Sequence, residues 1–327
     1  MSRMLNLVQA INEALDLKLA DDPRVVLLGE DIGKNGGVFR ATDGLLEKYG
    51  EERVIDTPLA ESAIIGTSIG MAVNGLIPVP EIQFLAFIFP ALDQLFSHVA
   101  RMRYRSQGQF PVPMTIRTPY GAGIHGPELH AESVESFFAH TPGLKVVVPS
   151  GPYDAKGLLI SAIEDPDPVV FLEPTKLYRA FREEVPEGLY RVPIGKAKRV
   201  REGEDVSVFA WGSMLRTALK VAEAIERERG WTCDVIDLRT LYPLDRDAIV
   251  ESVQKTGRAV VVHEAHKTAG LGAEIVSLIN EEALLYLRAP IKRIAGFDVP
   301  VPFFALEDEY MPTQARIRAG IEETITF

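Results

Sequence analysis

Short apolar strands and amphipathic helices alternate along this chain in two blocks, separated by a charged segment rich in proline and glycine. Such alternation admits few architectures. Each helix must return the chain so that consecutive strands run parallel, with the sheet covered on both faces. The first block opens with a helix predicted over 4–20, where Leu5, Val8, Ile11, Leu15 and Leu19 recur near the helical period. A strand at 25–28 lies between Pro23 and Gly29, and a glycine-rich loop (Gly33, Gly36, Gly37) follows. Next come residues 53–56, a turn at Thr57-Pro58, an apolar helix over 61–74, a strand at 79–83 and a helix over 89–104. Strands at 114–117 and 145–148 and a helix at 153–164 complete the block.

Residues 183–205 hold two prolines, three glycines and many charges, as a domain boundary does. The expected division is a domain over 1–185, a linker over 186–205 and a domain over 206–327. In the second block strands are predicted at 206–210, 233–238, 259–263 and 291–294, with helices at 214–227, 245–255 and 272–283. The expected class is α/β, with two doubly wound, mostly parallel domains. Neither an internal repeat nor a low-complexity tract interrupts the pattern.

The 327 residues carry 35 basic and 46 acidic side chains, a net charge of −11. That disfavours non-specific binding to nucleic acid or an anionic membrane. The most apolar stretch, 76–92, is broken by Glu81, Gln83 and three prolines, so no membrane span is expected. The N-terminus has no basic region followed by an apolar one, so no secretory signal is expected. Cys233 is the sole cysteine, which excludes a disulfide scaffold.

Generic motifs fail on spacing. GEDIGK at 29–34 lacks the length and the Ser or Thr of a phosphate loop. Gly270-Leu271-Gly272 lacks the final small residue of a dinucleotide fingerprint. His125, Glu128 and His130 stand at i, i+3, i+5 with Pro127 between, which one helix cannot align on zinc.

The informative segment is 56–83, DTPLAESAIIGTSIGMAVNGLIPVPEIQ. Glu61 heads an otherwise apolar helix. Two readings stand: a first-turn acid favoured by the helix dipole, or a carboxyl held in an apolar pocket that raises its pKa. Gly66 and Gly70 lie one turn apart and would admit a closely packed helix. This segment resembles the β subunit of the thiamine-diphosphate-dependent decarboxylating component of 2-oxo acid dehydrogenase complexes. The resemblance extends over essentially the whole chain, through GEDIGKNGGVFRATDGL, DTPLAES, PVPEIQF, RYRS, Glu128-Leu129-His130, PGLKVV, DAKGLL, AIEDPDPVVFLEP, VIDLRTLYPLD, KTGRAVVVHEA and RIAGFDVP.

The resemblance implies a pyrimidine-binding thiamine diphosphate fold followed by a transketolase C-terminal-like domain. It also implies half an active site. The GDG motif that holds magnesium and diphosphate is absent; the nearest string is Thr42-Asp43-Gly44. An α subunit would supply that half in an α2β2 assembly. Glu61 would be the cofactor-activating glutamate, hydrogen-bonded to the pyrimidine ring. Leu59, Gln83 and Phe87 would line the ring pocket. His130 would assist proton transfer while the lipoyl group of an acyltransferase core is acylated; His125 varies among family members. A potassium site is implied at the main chain of Met114, Ala162, Ile163, Asp165 and Asp167. The C-terminal domain would help dimerise the protein and dock the acyltransferase, with Asp298 and the Phe327 carboxylate as candidates. The acidic run 306–309 (LEDE) reads as a solvated face.

The expected substrate is a 2-oxo acid, pyruvate slightly favoured over a branched-chain 2-oxo acid such as 2-oxoisovalerate, with acetoin dehydrogenase β subunits sharing most motifs. The expected location is the cytoplasm, or the mitochondrial matrix for a processed eukaryotic chain. Two other classes compete: a self-sufficient transketolase-like enzyme, and a non-catalytic α/β binding subunit.

Overall fold

The computed structural model describes residues 2–327. In the first half the strands are β1 (Ser2–Leu5), β2 (Val25–Gly29), β3 (Val54–Asp56), β4 (Ile77–Glu81), β5 (Thr115–Tyr120), β6 (Lys145–Val147), β7 (Val169–Pro174) and β8 (Glu183–Pro186). The helices between them are α1 (Leu7–Asp21), α2 (Leu45–Tyr49), α3 (Glu61–Val73), α4 (Met102–Arg105), α5 (Glu135–Ala139) and α6 (Pro152–Ile163). The second half has β9 (Lys198–Arg201), β10 (Val206–Ala210), β11 (Cys233–Asp237), β12 (Thr240–Tyr242), β13 (Ala259–His266) and β14 (Lys292–Gly296). Its helices are α7 (Gly212–Arg229), α8 (Arg246–Thr256), α9 (Gly272–Ala283), α10 (Glu307–Tyr310) and α11 (Gln314–Ile325).

Among the described residues the strands form a seven-stranded sheet, β12-β6-β7-β5-β4-β2-β3, a five-stranded sheet, β14-β13-β10-β11-β9, and a ribbon of β1 with β8. Every neighbouring pair in the large sheet is parallel except β12 with β6, and in the smaller sheet only β9 with β11 is antiparallel. The chain is α/β with mostly parallel sheets. Side chains alternate across these strands. Val169 and Phe171 pack with α1 and α6 on one face, while Val170 and Leu172 join α3 on the other. That second core continues through Phe209, Trp211, Ile236 and Val261 into the second half, so one apolar body joins both sheets. No helix is long and apolar enough to cross a membrane, among the described residues.

Three local expectations need correction, and one strand lies outside the expected pattern. The first helix begins at Leu7 because residues 2–5 pair with β8 and Asn6 closes a capping box with Gln9. The helix expected over 89–104 is instead a 3-10 segment (Leu85–Ala91), a π-helical turn (Gln94–Val99) and α4. Pro90 removes an amide from the first piece, and the Ala100 amide reaches five residues back to the Leu95 carbonyl. Gly143, at φ +104, packs against the Ala100 carbonyl so closely that any Cβ would collide. The segment 186–205 contains β9, which edges the smaller sheet. Finally, β12 crosses back to pair with β6 of the larger sheet.

Candidate active site

In the larger sheet β2 has β3 on one side and β4 on the other. The connections leave in opposite directions, and a crevice opens at the carboxyl ends of β2 and β4, where ligands of open α/β sheets bind. The loop after β2, the turn before α3 and the segment after β4 border it. Asp56 organises the first of these, its carboxylate accepting from the amides of Gly33 (2.5 Å) and Lys34 (3.1 Å). Those amides therefore do not point at a phosphate.

Glu61 is the first residue of α3, at the rim of this crevice. The enclosed pocket expected around it is not formed by this chain: Glu61 is half-buried, and Leu59, two residues earlier, is 69% exposed. Burial, and then the charges of Asp31 and Glu61, hold the neighbouring Glu30 carboxyl above its ordinary range. Gln83 reaches into the same region and donates weakly to the Asp31 carboxylate (3.4 Å). The helix expected against Gly66 and Gly70 is also absent from this chain. Only the Gln94 side chain lies near Gly66, and the space over Gly70 is open.

The aromatic wall comes from the 3-10 segment after β4. Phe84 and Phe87 meet edge to face with centroids 5.5 Å apart. His130 lies against both, 4.3 Å from Phe84 and 5.0 Å from Phe87. Its Nδ1 sits 2.8 Å from the Glu128 carbonyl, so in the neutral ring Nδ1–H donates there and Nε2 carries the free lone pair. The chain therefore brings Phe87 and His130 into contact, while Gln83 bonds Asp31 and the charge of Glu61 is felt at Glu30. Leu59 flanks Glu61 without joining the aromatic cluster.

His125 turns away from His130. It adopts φ +54, with Nδ1 2.8 Å from the Phe304 carbonyl and its ring 5.2 Å from Phe304. No three His, Cys, Asp or Glu side chains converge as a metal cluster among the described residues.

The five residues expected around potassium lie at the far end of β5, α6 and β7. The Met114 carbonyl accepts from the Val169 amide (2.9 Å) and the Ala162 carbonyl from the Asp165 amide (3.2 Å). Ile163 ends α6 and is buried. The Asp165 carboxylate holds Lys145 at 2.7 Å through both oxygens, and Asp167 pairs with Arg103 at 2.5 Å. Main-chain and carboxylate oxygens are the donor chemistry a hard cation prefers, and the Met114 carbonyl keeps a second lone pair.

Sequence reasoning missed three participants. Phe84 sits in an apolar run that reads only as core. Glu264 ends up with its carboxyl oxygen accepting from the Ala122 amide (3.0 Å), at the base of the loop that bears both histidines. Glu307 belongs to the run expected to be a solvated face, yet it is fully buried and accepts from the amides of Gly123 and His125. Asp308 and Glu309 are exposed, as that expectation holds. Nothing local in LEDE distinguishes its first acid; the difference arises from the fold.

Residues 3–180 match the family described as transketolase, pyrimidine binding domain, and residues 195–317 match transketolase, C-terminal domain. The pyruvate dehydrogenase E1 component subunit beta of Staphylococcus epidermidis is 52% identical over 323 residues, which cover 99% of each chain. The protein of that name from Staphylococcus aureus is 52% identical over the same length and coverage. A solved split-gene transketolase, described as an inactive β4 tetramer, superposes with a TM-score of 0.81 at 25% identity, covering 98% of each chain.

Proposed function

Because this chain belongs to the family of pyruvate dehydrogenase E1 β subunits, we propose that it is the β subunit of a 2-oxo acid dehydrogenase, working on pyruvate with an α subunit. The observation that carries this reading is the boxed His130, its Nε2 free beside Phe84 and Phe87 at the crevice that Glu61 borders. The donor set suits a flat heterocycle with a ring nitrogen: a carboxyl group, a leucine, an amide and an aromatic edge.

Thiamine diphosphate, when bound, supplies the electron sink for loss of carbon dioxide. Glu61 would share a proton with the pyrimidine ring nitrogen. Leu59 and Phe87 would pack on the ring and exclude water, and Gln83 would orient it. His130, through Nε2, would hold and pass a proton while the acyl group moves to a lipoyl group. The α subunit would hold magnesium and the diphosphate and would close the open side over Glu61, in an α2β2 assembly. Potassium would bind main-chain oxygens of Met114, Ala162, Ile163, Asp165 and Asp167, bracing that end of the sheet.

The same reading takes 1–185 as the pyrimidine-binding domain, 186–205 as its linker and 206–327 as the C-terminal domain; the two family matches and the two sheets support it. The lipoyl acyltransferase core would dock on the C-terminal domain, where Asp298, held by Thr268 at 2.6 Å, and the exposed Phe327 stand as candidates. The bacterial relatives support a cytoplasmic setting.

The test is calorimetric titration of thiamine diphosphate and magnesium into the chain alone and into the chain co-expressed with its α subunit. Binding should require the complex, which should then turn over pyruvate faster than 2-oxoisovalerate or acetoin. Tight binding by the isolated chain would sink the half-site reading. Faster turnover of 2-oxoisovalerate would move the substrate to the branched-chain class.

A further inference from the structure

In the smaller sheet β10 has β11 on one side and β13 on the other, so this sheet too has a crevice at its carboxyl ends. A loop from the first half fills it. Residues 121–132 leave β5, carry His125 and His130, and return before α5. Both ends of this loop are sunk in the second half's core: Ala122 and Ala131 pack with Val208, Ala210, Tyr310 and Met311. The Gly121 amide closes the base on the Glu132 carbonyl (3.2 Å).

Two buried carboxyl groups of the second half hold the outgoing strand of the loop. Glu264, on β13, accepts from the Ala122 amide at 3.0 Å and from the Ser213 hydroxyl at 3.3 Å. Glu307, the first residue of α10, accepts with one oxygen from the amides of both Gly123 and His125. Its other oxygen, Oε2, is buried with no partner. An acid fully removed from water and left half-satisfied is costly to keep. Its bonds go only to backbone of the histidine loop, and that loop needs the αL conformation at His125 and Leu129.

We propose that Glu307 is a positioning residue, which from the second half fixes the loop that carries His130 against Phe84 and Phe87. It touches neither substrate nor cofactor and acts through the backbone at 123 and 125. The inference rests on the functional reading above only for its effect on turnover; the clamp itself is a property of this chain.

The experiment compares Glu307→Ala and Glu307→Gln in the chain assembled with its α subunit, with exposed Glu309→Ala as control. Hydrogen exchange of peptides spanning 121–130 is followed beside two reactions: decarboxylation with an artificial electron acceptor, and acylation of a free lipoyl domain. Glu307→Ala should speed exchange in the loop by about tenfold or more and slow lipoyl acylation by about 10–100-fold, the scale of a misplaced catalytic group. Decarboxylation should fall much less. Glu307→Gln keeps the accepting oxygen and should restore both readouts to within about threefold. If Glu307→Ala fails to fold, Glu307→Asp, which draws the carboxylate back by one methylene, should show the same pattern. Exchange in 121–130 unchanged in the Ala or Asp variant would overturn the clamp. A native complex that turns over no 2-oxo acid would overturn the functional reading, and the exchange result would still decide the clamp.

Discussion

The rings of Phe84 and His130 lie 4.3 Å apart at an interplanar angle of 55°, joining the segment after β4 to the loop before α5. With Phe87 at 85° on another side, the imidazole has aromatic faces fixing its plane and the Glu128 carbonyl fixing its tautomer. His130→Asn should therefore leave cofactor binding intact and lower lipoyl acylation by about 10²–10⁴-fold, the usual contribution of a general acid or base. Separate assays of decarboxylation and lipoyl acylation check this; equal loss in both would assign His130 to an earlier step.

Glu61 invites the complementary change. Glu61→Gln keeps shape and a helix start but removes the carboxyl at the head of α3. In the assembled complex, turnover should fall by at least about 10²-fold while the calorimetric affinity for thiamine diphosphate stays within about tenfold. Normal decarboxylation by this variant would remove Glu61 from the chemistry.

Beneath the crevice, Arg117 is almost fully buried and ion-paired to Glu81 (2.8 Å) and to Glu173 through two nitrogens (2.7 and 3.1 Å). Tyr178 completes the group with a 2.6 Å bond to Glu173. Removing the cation strands two carboxylates in a dry sheet. Arg117→Met should cost about 3–5 kcal/mol of stability, measured as a lower urea midpoint with an unchanged slope. A loss below about 1 kcal/mol would show that the acids find other partners.

The junction between the halves is sensitive to alkali. Burial, and then the charge of Glu135, push Glu264 up to about 8; burial, and then Asp154, push Asp237 up to about 7. Both are raised above their unfolded values, so the native state binds more protons than the unfolded chain between the two sets of pKa values. The share of stability that these two groups control is then full near pH 4, falls as pH rises and levels off above about pH 8. Thermal midpoints taken from about pH 6.5, above the range in which the buried His263 adds stability with rising pH, to pH 9 should decline, and Glu264→Gln should flatten the decline. A midpoint that climbs over this range in the native chain, or an equal slope in the variant, would contradict the assignment.

Much of the fold was legible because its central strands are local and apolar: β2, β10, β11 and β13 each show as short β-branched runs between turn residues. The edge strands were not. β1, β8, β9 and β12 are charged, short or mixed, and what makes them strands is a partner distant in sequence. The same division runs through the site. Glu61, Phe87 and His130 were found through motif resemblance, and the structure adds that Phe87 and His130 touch. Phe84, Glu264 and Glu307 carry no local mark, since each acquires its task only when the second half folds over the loop at 121–132.

β12 also orders events in time. Val146 and Val147 of β6 are fully buried, and one flank of β6 is covered only by Thr240–Tyr242. On the ribosome, the first sheet is complete in every other strand long before residue 242 emerges. At roughly 5–20 residues per second, that leaves its β6 edge bare for a few seconds after the linker has appeared. During that interval the nascent chain offers an unpaired apolar strand to any neighbour. A fragment ending at residue 205 would offer it permanently, and should be recovered as aggregates or strand-paired dimers rather than as a free-standing first half.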